Sequence, residues 1–219
     1  MGLGHFITLE GGEGTGKSTQ IHHLLERLAD AGIDAVRTRE PGGSKGAERI
    51  RSLILEAGHS RFDPLTETLL FYAARNDHLE HVIRPALNAG KWVICDRFSD
   101  STRVYQGGIG ALQYSVLDQL DALVVHDTQP DLTLILDLPA EIGLARANAR
   151  RGNSAADGFE AESIDFHRAL RQAYLELARL NPNRCVVIDA DGSVEEIAER
   201  IWRKVSERLL IVNSVQSNG

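Results

Sequence analysis

Apolar residues recur along this chain with two distinct periods. Ile33-Asp34-Ala35-Val36-Arg37-Thr38 reads as a strand although half of it is polar, and four other short runs are apolar almost throughout: His5-Phe6-Ile7-Thr8-Leu9, Trp92-Val93-Ile94-Cys95-Asp96, Leu132-Thr133-Leu134-Ile135-Leu136-Asp137-Leu138 and Cys185-Val186-Val187-Ile188-Asp189. Runs of this length, bounded by turn residues, predict strands buried on both faces. Between them the spacing is helical. Ile21, Leu24, Leu25 and Leu28 share one face, and Gly32 stops that helix. A short helix is predicted over 48–55. Asp63-Pro64 starts another, with Asp at the N-cap and Pro in the first turn; its pattern continues through Leu69, Leu70, Tyr72 and Ala73 to Leu79, Val82 and Ile83, with a bend near Pro85. Further helices are predicted over 99–106, closed by Gly107-Gly108, over 115–125, over 140–151 after Pro139, and over 163–180, where Leu170, Tyr174, Leu177 and Ala178 align. Ser193 with Glu196 forms a capping box for a last helix faced by Val194, Ile197, Ile201, Val205 and Leu209. The alternation predicts an α/β chain: an open, mostly parallel five-stranded sheet with helices on both faces.

Length adds that 219 residues suit one α/β domain. That domain is expected over 1–211, with a small polar flap at about 150–162 and a frayed polar tail at 212–219. The net charge of -7 argues against a protein that coats nucleic acid, and requires that positive residues cluster if polyanions bind. Most of the positive charge is arginine, which suits bidentate phosphate recognition; the lysines are Lys17, Lys45, Lys91 and Lys204. Cys95 and Cys185 each sit inside an apolar run and read as small core residues in a reducing compartment. The first residues show neither a signal-peptide core nor a myristoylation pattern, and no apolar stretch reaches bilayer length. The expectation is a soluble cytoplasmic protein without membrane or nucleic-acid partners.

The first candidate site lies between the first strand and the first helix. Gly11-Gly12-Glu13-Gly14-Thr15-Gly16-Lys17-Ser18 fits G-x-x-x-x-G-K-[ST] at every fixed position. Strand, glycine loop and helix together point backbone N–H groups inward at a polyphosphate. The glycines permit positive φ and close approach. Lys17 reaches the β/γ-phosphates of such a ligand, and the Ser18 hydroxyl ligates Mg²⁺. The fold expected is therefore that of the P-loop NTPases.

Other candidates sit at strand ends. Arg39, before Glu40-Pro41-Gly42-Gly43, lies at the carboxyl end of the second strand, the edge where open α/β sheets bind ligands; a surface arginine beside a turn fits equally. Phe71 and Arg75 share a helix face at i, i+4, suiting a base that is stacked and hydrogen-bonded at its edge; Phe71 in the core with Arg75 solvated also fits. Asp96 ends the third strand where a Mg²⁺ shell is organised, and Arg97 beside it can hold a second phosphate. Ser101, Thr102 and Tyr105 fall near one another on the next helix. Arg146 and Arg150, with Arg151 adjacent, have no acid at i±3 or i±4, so an arriving anion explains them better than an ion-paired face. An ordinary charged face remains the alternative.

These features separate the possible chemistries. A GTP switch needs a guanine-reading N-K-x-D after a strand, which is absent, and the D-x-x-G at 189–192 falls after the last strand. A motor needs more chain, and a translocase needs basic and aromatic tracks. A small kinase remains: a donor loop, a second anion site, an aromatic platform, and an arginine-bearing flap that excludes water.

The motifs that follow the loop are more specific than the loop. Leu9-Glu10-Gly11 through Ser18-Thr19, Thr38-Arg39-Glu40-Pro41-Gly42-Gly43, Leu70-Phe71-Tyr72-Ala73-Ala74-Arg75, Cys95-Asp96-Arg97-Phe98, Tyr105-Gln106-Gly107-Gly108, Asp131-Leu132-Thr133 with Asp137-Leu138-Pro139, and the arginine helix occur in this order. In order and spacing, across nearly the whole chain, the sequence resembles the bacterial thymidylate (dTMP) kinases. The resemblance implies transfer of the ATP γ-phosphoryl group to dTMP with Mg²⁺, giving dTDP and ADP for dTTP synthesis, by a homodimer. It implies that residues Gly11 to Thr19 hold ATP, that Phe71 stacks on thymine, and that Arg75 hydrogen-bonds its O4. Thr102 then lies at the N3 edge with Ser101 beside it. Tyr105, followed by Gln106, crowds a ribose 2′-OH, and Glu13 approaches the sugar 3′-OH. Arg39, with Pro41 after it, and Arg97 hold the dTMP phosphate, and Asp96 organises Mg²⁺. Some relatives carry a basic residue inside the loop; here Gly14 and Thr15 stand there, so the flap must supply it, with Arg150 first and Arg146 and Arg151 behind. Gly158 stands where similar enzymes often carry another arginine. The remaining alternatives are a kinase for dUMP or a deoxynucleoside, and a non-catalytic ATP-dependent regulator.

Overall fold

The structure, a computed structural model, describes residues 4–56, 62–110, 112–151 and 162–210. The apolar runs become β1 (Phe6–Glu10), β2 (Ala35–Arg39), β3 (Trp92–Asp96), β4 (Leu132–Asp137) and β5 (Cys185–Asp189). They form one five-stranded sheet in the order β2-β3-β1-β4-β5, with each neighbouring pair parallel. The central strands β1 and β4 are buried almost end to end, whereas the edge strands β2 and β5 are not. Burial on both faces accounts for the continuous apolar runs.

Alternate residues feed two layers. Ile7, Leu9, Leu132 and Leu134 pack against Ile21, Leu24 and Leu28 of α1 (Lys17–Asp30) and Ile197, Ile201 and Val205 of α9 (Val194–Val205). On the opposite face, Phe6, Val93 and Cys95 pack with Leu79, Ile83 and Phe98. There too, Ile135 and Cys185 pack with Leu170, Tyr174 and Leu177 of α8 (Ile164–Leu180). Both cysteines are free and buried. The remaining helices are α2 (Lys45–Glu56), α3 (Pro64–His78), α4 (Arg84–Asn88), α5 (Ser99–Thr102), α6 (Tyr114–Val124) and α7 (Ala140–Arg151). Among the described residues, no helix is long and apolar enough to cross a membrane.

Several boundaries differ from the sequence reading, each for a local reason. Ile33 belongs to the exit of α1: its N–H donates to Leu28 O (2.8 Å), closing the turn around Gly32 at φ +73°. The second helix begins a turn earlier than residue 48, because the Ser44 hydroxyl accepts from Ala47 N. Near Pro85 the long helix passes through a π-helical turn over Leu79–Ile83 into α4, whose first turn holds Pro85. The largest difference is at 99–106. Only Ser99–Thr102 is α-helical, and a π-helical segment continues over Arg103–Ile109, through the glycine pair that was expected to close it. A Cβ on Gly107 would press on Leu117 of α6 at 2.8 Å, and one on Gly108 on Ala173 of α8 at 3.1 Å. These glycines serve close packing, not termination. The polar tail at 212–219 and most of the expected flap, 152–161, lie outside the described residues.

Candidate active site

The first strand delivers the loop. After Glu10 the backbone turns through Gly11, Gly14 and Gly16, all at positive φ, and α1 begins at Lys17. Gly16 offers no side-chain cap, so the first N–H groups of α1 are left for a ligand. Lys17 Nζ folds back to donate to Gly11 O (3.0 Å) and Gly12 O (2.8 Å). Burial, and then the charge of Arg97, push its ammonium down to a pKa of about 8. Ser18 Oγ donates to Asp96 Oδ2 (2.8 Å), which joins the loop to the tip of β3. A hydroxyl and a carboxylate at a helix N-terminus are hard oxygen donors of the kind Mg²⁺ takes alongside phosphate and water. Among the described residues, no group of three or more His, Cys, Asp or Glu side chains could cage a metal.

A second layer of side chains stands beside the loop. Arg97 adopts φ +69°, a strained conformation for a non-glycine residue. Its Nη2 donates to Glu13 Oε1 (2.7 Å), and its Nη1 to Tyr174 OH (3.0 Å) and Ser101 Oγ (3.3 Å). Burial alone would raise Glu13, but Arg97, followed by Lys17, His167 and Arg150, outweighs it and holds the carboxyl below its usual range. Glu10, which sequence reasoning treated only as part of a motif, is the hub beneath. Its Oε1 accepts from Phe98 N (2.8 Å), and its Oε2 from Ser101 Oγ (2.6 Å) and Tyr174 OH (3.2 Å). Burial, then Asp100, raise its pKa to about 7. The usable signal was an acid ending a fully apolar strand. Tyr174 gave no such signal, since its helical spacing reads as core. Asp100 pins α5 in turn, accepting from Arg184 (2.5 and 2.9 Å) and Thr133 (3.0 Å).

The other end of the site is built on α3. Phe71 is half-buried, and Arg75 is only 2% exposed, so the solvated alternative for Arg75 does not hold. Arg75 Nε donates to Glu40 Oε2 (2.8 Å) and its Nη2 to Thr102 Oγ1 (3.0 Å). Arg39 Nη2 spans both oxygens of Glu48 (3.0 and 3.1 Å) in an exposed pair. Arg51, which the sequence reading missed, donates to Pro41 O (2.7 Å).

One cleft of about 360 Å³ connects the two ends. It is lined by Glu13, Gly14, Thr15, Gly16, Lys17, Ser18 and Thr19 at one end. At the other are Pro41, Phe71, Arg75, Thr102, Tyr105 and Gln106, with Arg39, Asp96, Arg97, Ser101 and Arg150 also on its walls. Gly11 and Gly12 sit behind, against a much smaller cavity shared with His167 and Arg171. Arg146 does not join Arg150. It donates to Ala190 O (3.2 Å) and lies 3.9 Å from Asp191, so its charge partner comes from the β5–α9 loop rather than its own helix. Arg151 closes α7, and its side chain, with Gly158 and the flap, lies outside the described residues. Helix α7 is seated against the loop by two glycines: a Cβ on Gly14 would strike Gly143 O, and one on Gly143 would strike Glu13 O.

The sheet order, the glycine loop and the Ser18–Asp96 pair define a P-loop enzyme whose cleft has room for a second ligand beside the phosphates. The model of the thymidylate kinase family matches residues 9–201. A thymidylate kinase of Nitrobacter winogradskyi is 54% identical over 211 residues, covering 96% of this chain and 92% of the relative. One of Rhodopseudomonas palustris (strain BisB18) is 54% identical over 216 residues, covering 97% and 94%. A solved thymidylate kinase structure from Ehrlichia chaffeensis superposes with a TM-score of 0.75 at 35% identity, covering 94% of this chain and 99% of that one. The chain belongs to the thymidylate kinase family.

Proposed function

We propose that this chain transfers the γ-phosphoryl group of ATP to the 5′-phosphate of dTMP, giving dTDP and ADP. The observation that carries the reading is the continuous cleft from the Lys17–Ser18 cradle to Phe71 and Arg75. The loop N–H groups and Lys17 hold the ATP phosphates. Ser18 and Asp96 would hold Mg²⁺, which when bound neutralises phosphate charge. Arg97 is half-buried and already oriented by Tyr174 and Ser101, so it meets the dTMP phosphate without reorganising. Arg39 is held only by an exposed pair, which is weak and easily exchanged for a phosphate. Phe71 stacks on the base and Arg75 donates to its keto edge, while Glu13 faces the sugar. An acceptor phosphate oxygen forms the new bond to phosphorus as the bond to the β-phosphate oxygen breaks, and Arg150 meets the charge that develops. The acceptor oxygen needs little general-base help, so positioning and charge neutralisation dominate.

Residues 1–211 act as one kinase domain in this reading, supported by the single sheet. A cytoplasmic setting is supported by the two free thiols. A homodimer is supported by Leu65 and Leu69 on one face of α3 and Leu123 on the adjacent α6, exposed by 45%, 48% and 78%. Sedimentation of a Leu69→Glu variant checks this: a shift toward monomer is expected, and an unchanged mass removes the α3 face.

ADP release across a panel of nucleoside monophosphates and nucleosides tests the activity. Turnover with dTMP well above dUMP and the nucleosides is expected. ATP binding without acceptor-dependent turnover would overturn the reading.

A further inference from the structure

A buried chain of hydrogen bonds stands behind Arg75. Thr38 Oγ1 lies 2.6 Å from His78 Nε2, and His78 Nδ1 lies 3.1 Å from Glu40 Oε1. The second Glu40 oxygen accepts from Arg75 Nε at 2.8 Å. Every member is interior: Thr38 and Glu40 are 7% exposed, Arg75 2% and His78 0%. The partners settle the histidine tautomer. A carboxylate oxygen accepts, so a neutral His78 ring donates from Nδ1 to Glu40 and accepts at Nε2 from the Thr38 hydroxyl. Gly43 covers this junction, and a Cβ there would strike both His78 Nε2 and Thr38 Oγ1.

Charge balance does not explain the chain, because Glu40 alone neutralises Arg75. What His78 adds is orientation. By holding Oε1 it stops the carboxylate from rotating and leaves Oε2 for the guanidinium. Thr102 fixes Nη2, and the rings of Tyr72 and Phe98 lie 4.8 and 5.2 Å from the guanidinium carbon. Nη1 is then buried with no partner, although Arg75 lines the cleft. A donor left in that state costs about 1–3 kcal/mol and favours any ligand that supplies an acceptor.

We propose that Thr38, His78 and Glu40 are positioning residues that set the choice of acceptor base. They lock Arg75 as a donor that cannot turn aside, so a ring edge bearing a keto oxygen is accepted and one bearing an exocyclic amine is refused. This rests on the reading that Arg75 meets the base. A loosely held arginine could swing away and let water satisfy an amine. A locked one leaves two donors face to face, and unpaired polar groups of this kind support discrimination of about 10⁴-fold.

The test compares kcat/KM for dTMP and dCMP, by ADP release or, where dCMP turnover is too low, by its inhibition of dTMP turnover. His78→Leu is expected to lower the preference for dTMP by at least about tenfold while KM for ATP stays within about twofold. His78→Gln, which can still donate to Glu40 and accept from Thr38, is expected to keep it. Thr38→Val is expected to shift it the same way by a smaller factor, and decides the matter if His78→Leu gives no cooperative melt. Arg75→Met separates the two layers of the argument. If it lowers the preference while His78→Leu and Thr38→Val leave it intact, the positioning role is wrong and the base contact stands. If Arg75→Met leaves the preference intact, the base contact falls and the positioning role with it.

Discussion

The two ends of the cleft are built on opposite plans. The donor end is mainly backbone, contributed by one stretch from Gly11 to Thr19, and its lysine donates to the loop's own carbonyls. The acceptor end is side chains drawn from β2, α3, α5 and the tip of β3, and its central pair, Arg75 with Glu40, is buried among partners that do not come from the ligand. A backbone cradle places its demand on glycine. A side-chain pocket places its demand on stability, because a charge whose partner is lost stays in the interior.

The sharpest break in this comparison is Arg150→Ala. Arg150 is exposed and, in the proposed reaction, acts on charge that exists only during transfer, so kcat is expected to fall at least about 10³-fold with KM for dTMP nearly unchanged and the melting curve unmoved. Steady-state kinetics check it, and an unchanged kcat removes Arg150 from the donor end. At the acceptor end the expected loss is of another kind. Glu40→Ala leaves Arg75 buried without its carboxylate, and denaturant unfolding should show about 3–5 kcal/mol of destabilisation. A loss below about 1 kcal/mol would mean that this end does not depend on its pairs.

The smallest effect concerns pH. Lys17 titrates at about 8, and bound phosphates favour its protonated form and so raise its pKa in the complex. ATP affinity should therefore be full below pH 8 and weaken above it, by up to about tenfold per unit until the pKa of the complex is reached. Linkage runs the other way in the unliganded protein. The folded lysine releases its proton before the unfolded one, so stability contributed by this group rises between about pH 8 and 10.5. Calorimetric titration of ATP across pH 7 to 10 measures the first effect. Affinity that stays flat there would show that Lys17 is charged throughout.

What could be read from the chain divides along the same line. The strands, the helix faces and the loop were legible because each is a local pattern, and the loop motif with the end of the third strand sufficed to nominate Lys17, Ser18 and Asp96, of which Ser18 and Asp96 meet. Arg146 was misplaced because its partner, Asp191, is 45 residues away, beyond any i±4 rule. Glu10 was marked only as an acid ending an apolar strand, and Tyr174, Glu40 and His78 gave no functional signal, since a ring on a helix face looks the same whether or not it orients an arginine. Gly107-Gly108 was read as punctuation because local spacing does not reveal α6 and α8 packed against it.

The contact between Gly14 and Gly143 carries a mechanical consequence. With no side chain between them, loop and helix touch backbone to backbone, and nothing compliant absorbs a displacement. Arg150 lies farther along the same rigid rod, about 10 Å from Gly143 by helical rise. A shift in the loop would therefore press directly on α7, the helix that carries Arg150. In the proposed reaction, the donor's arrival would then reach Arg150 through the skeleton of the protein as well as through its electric field.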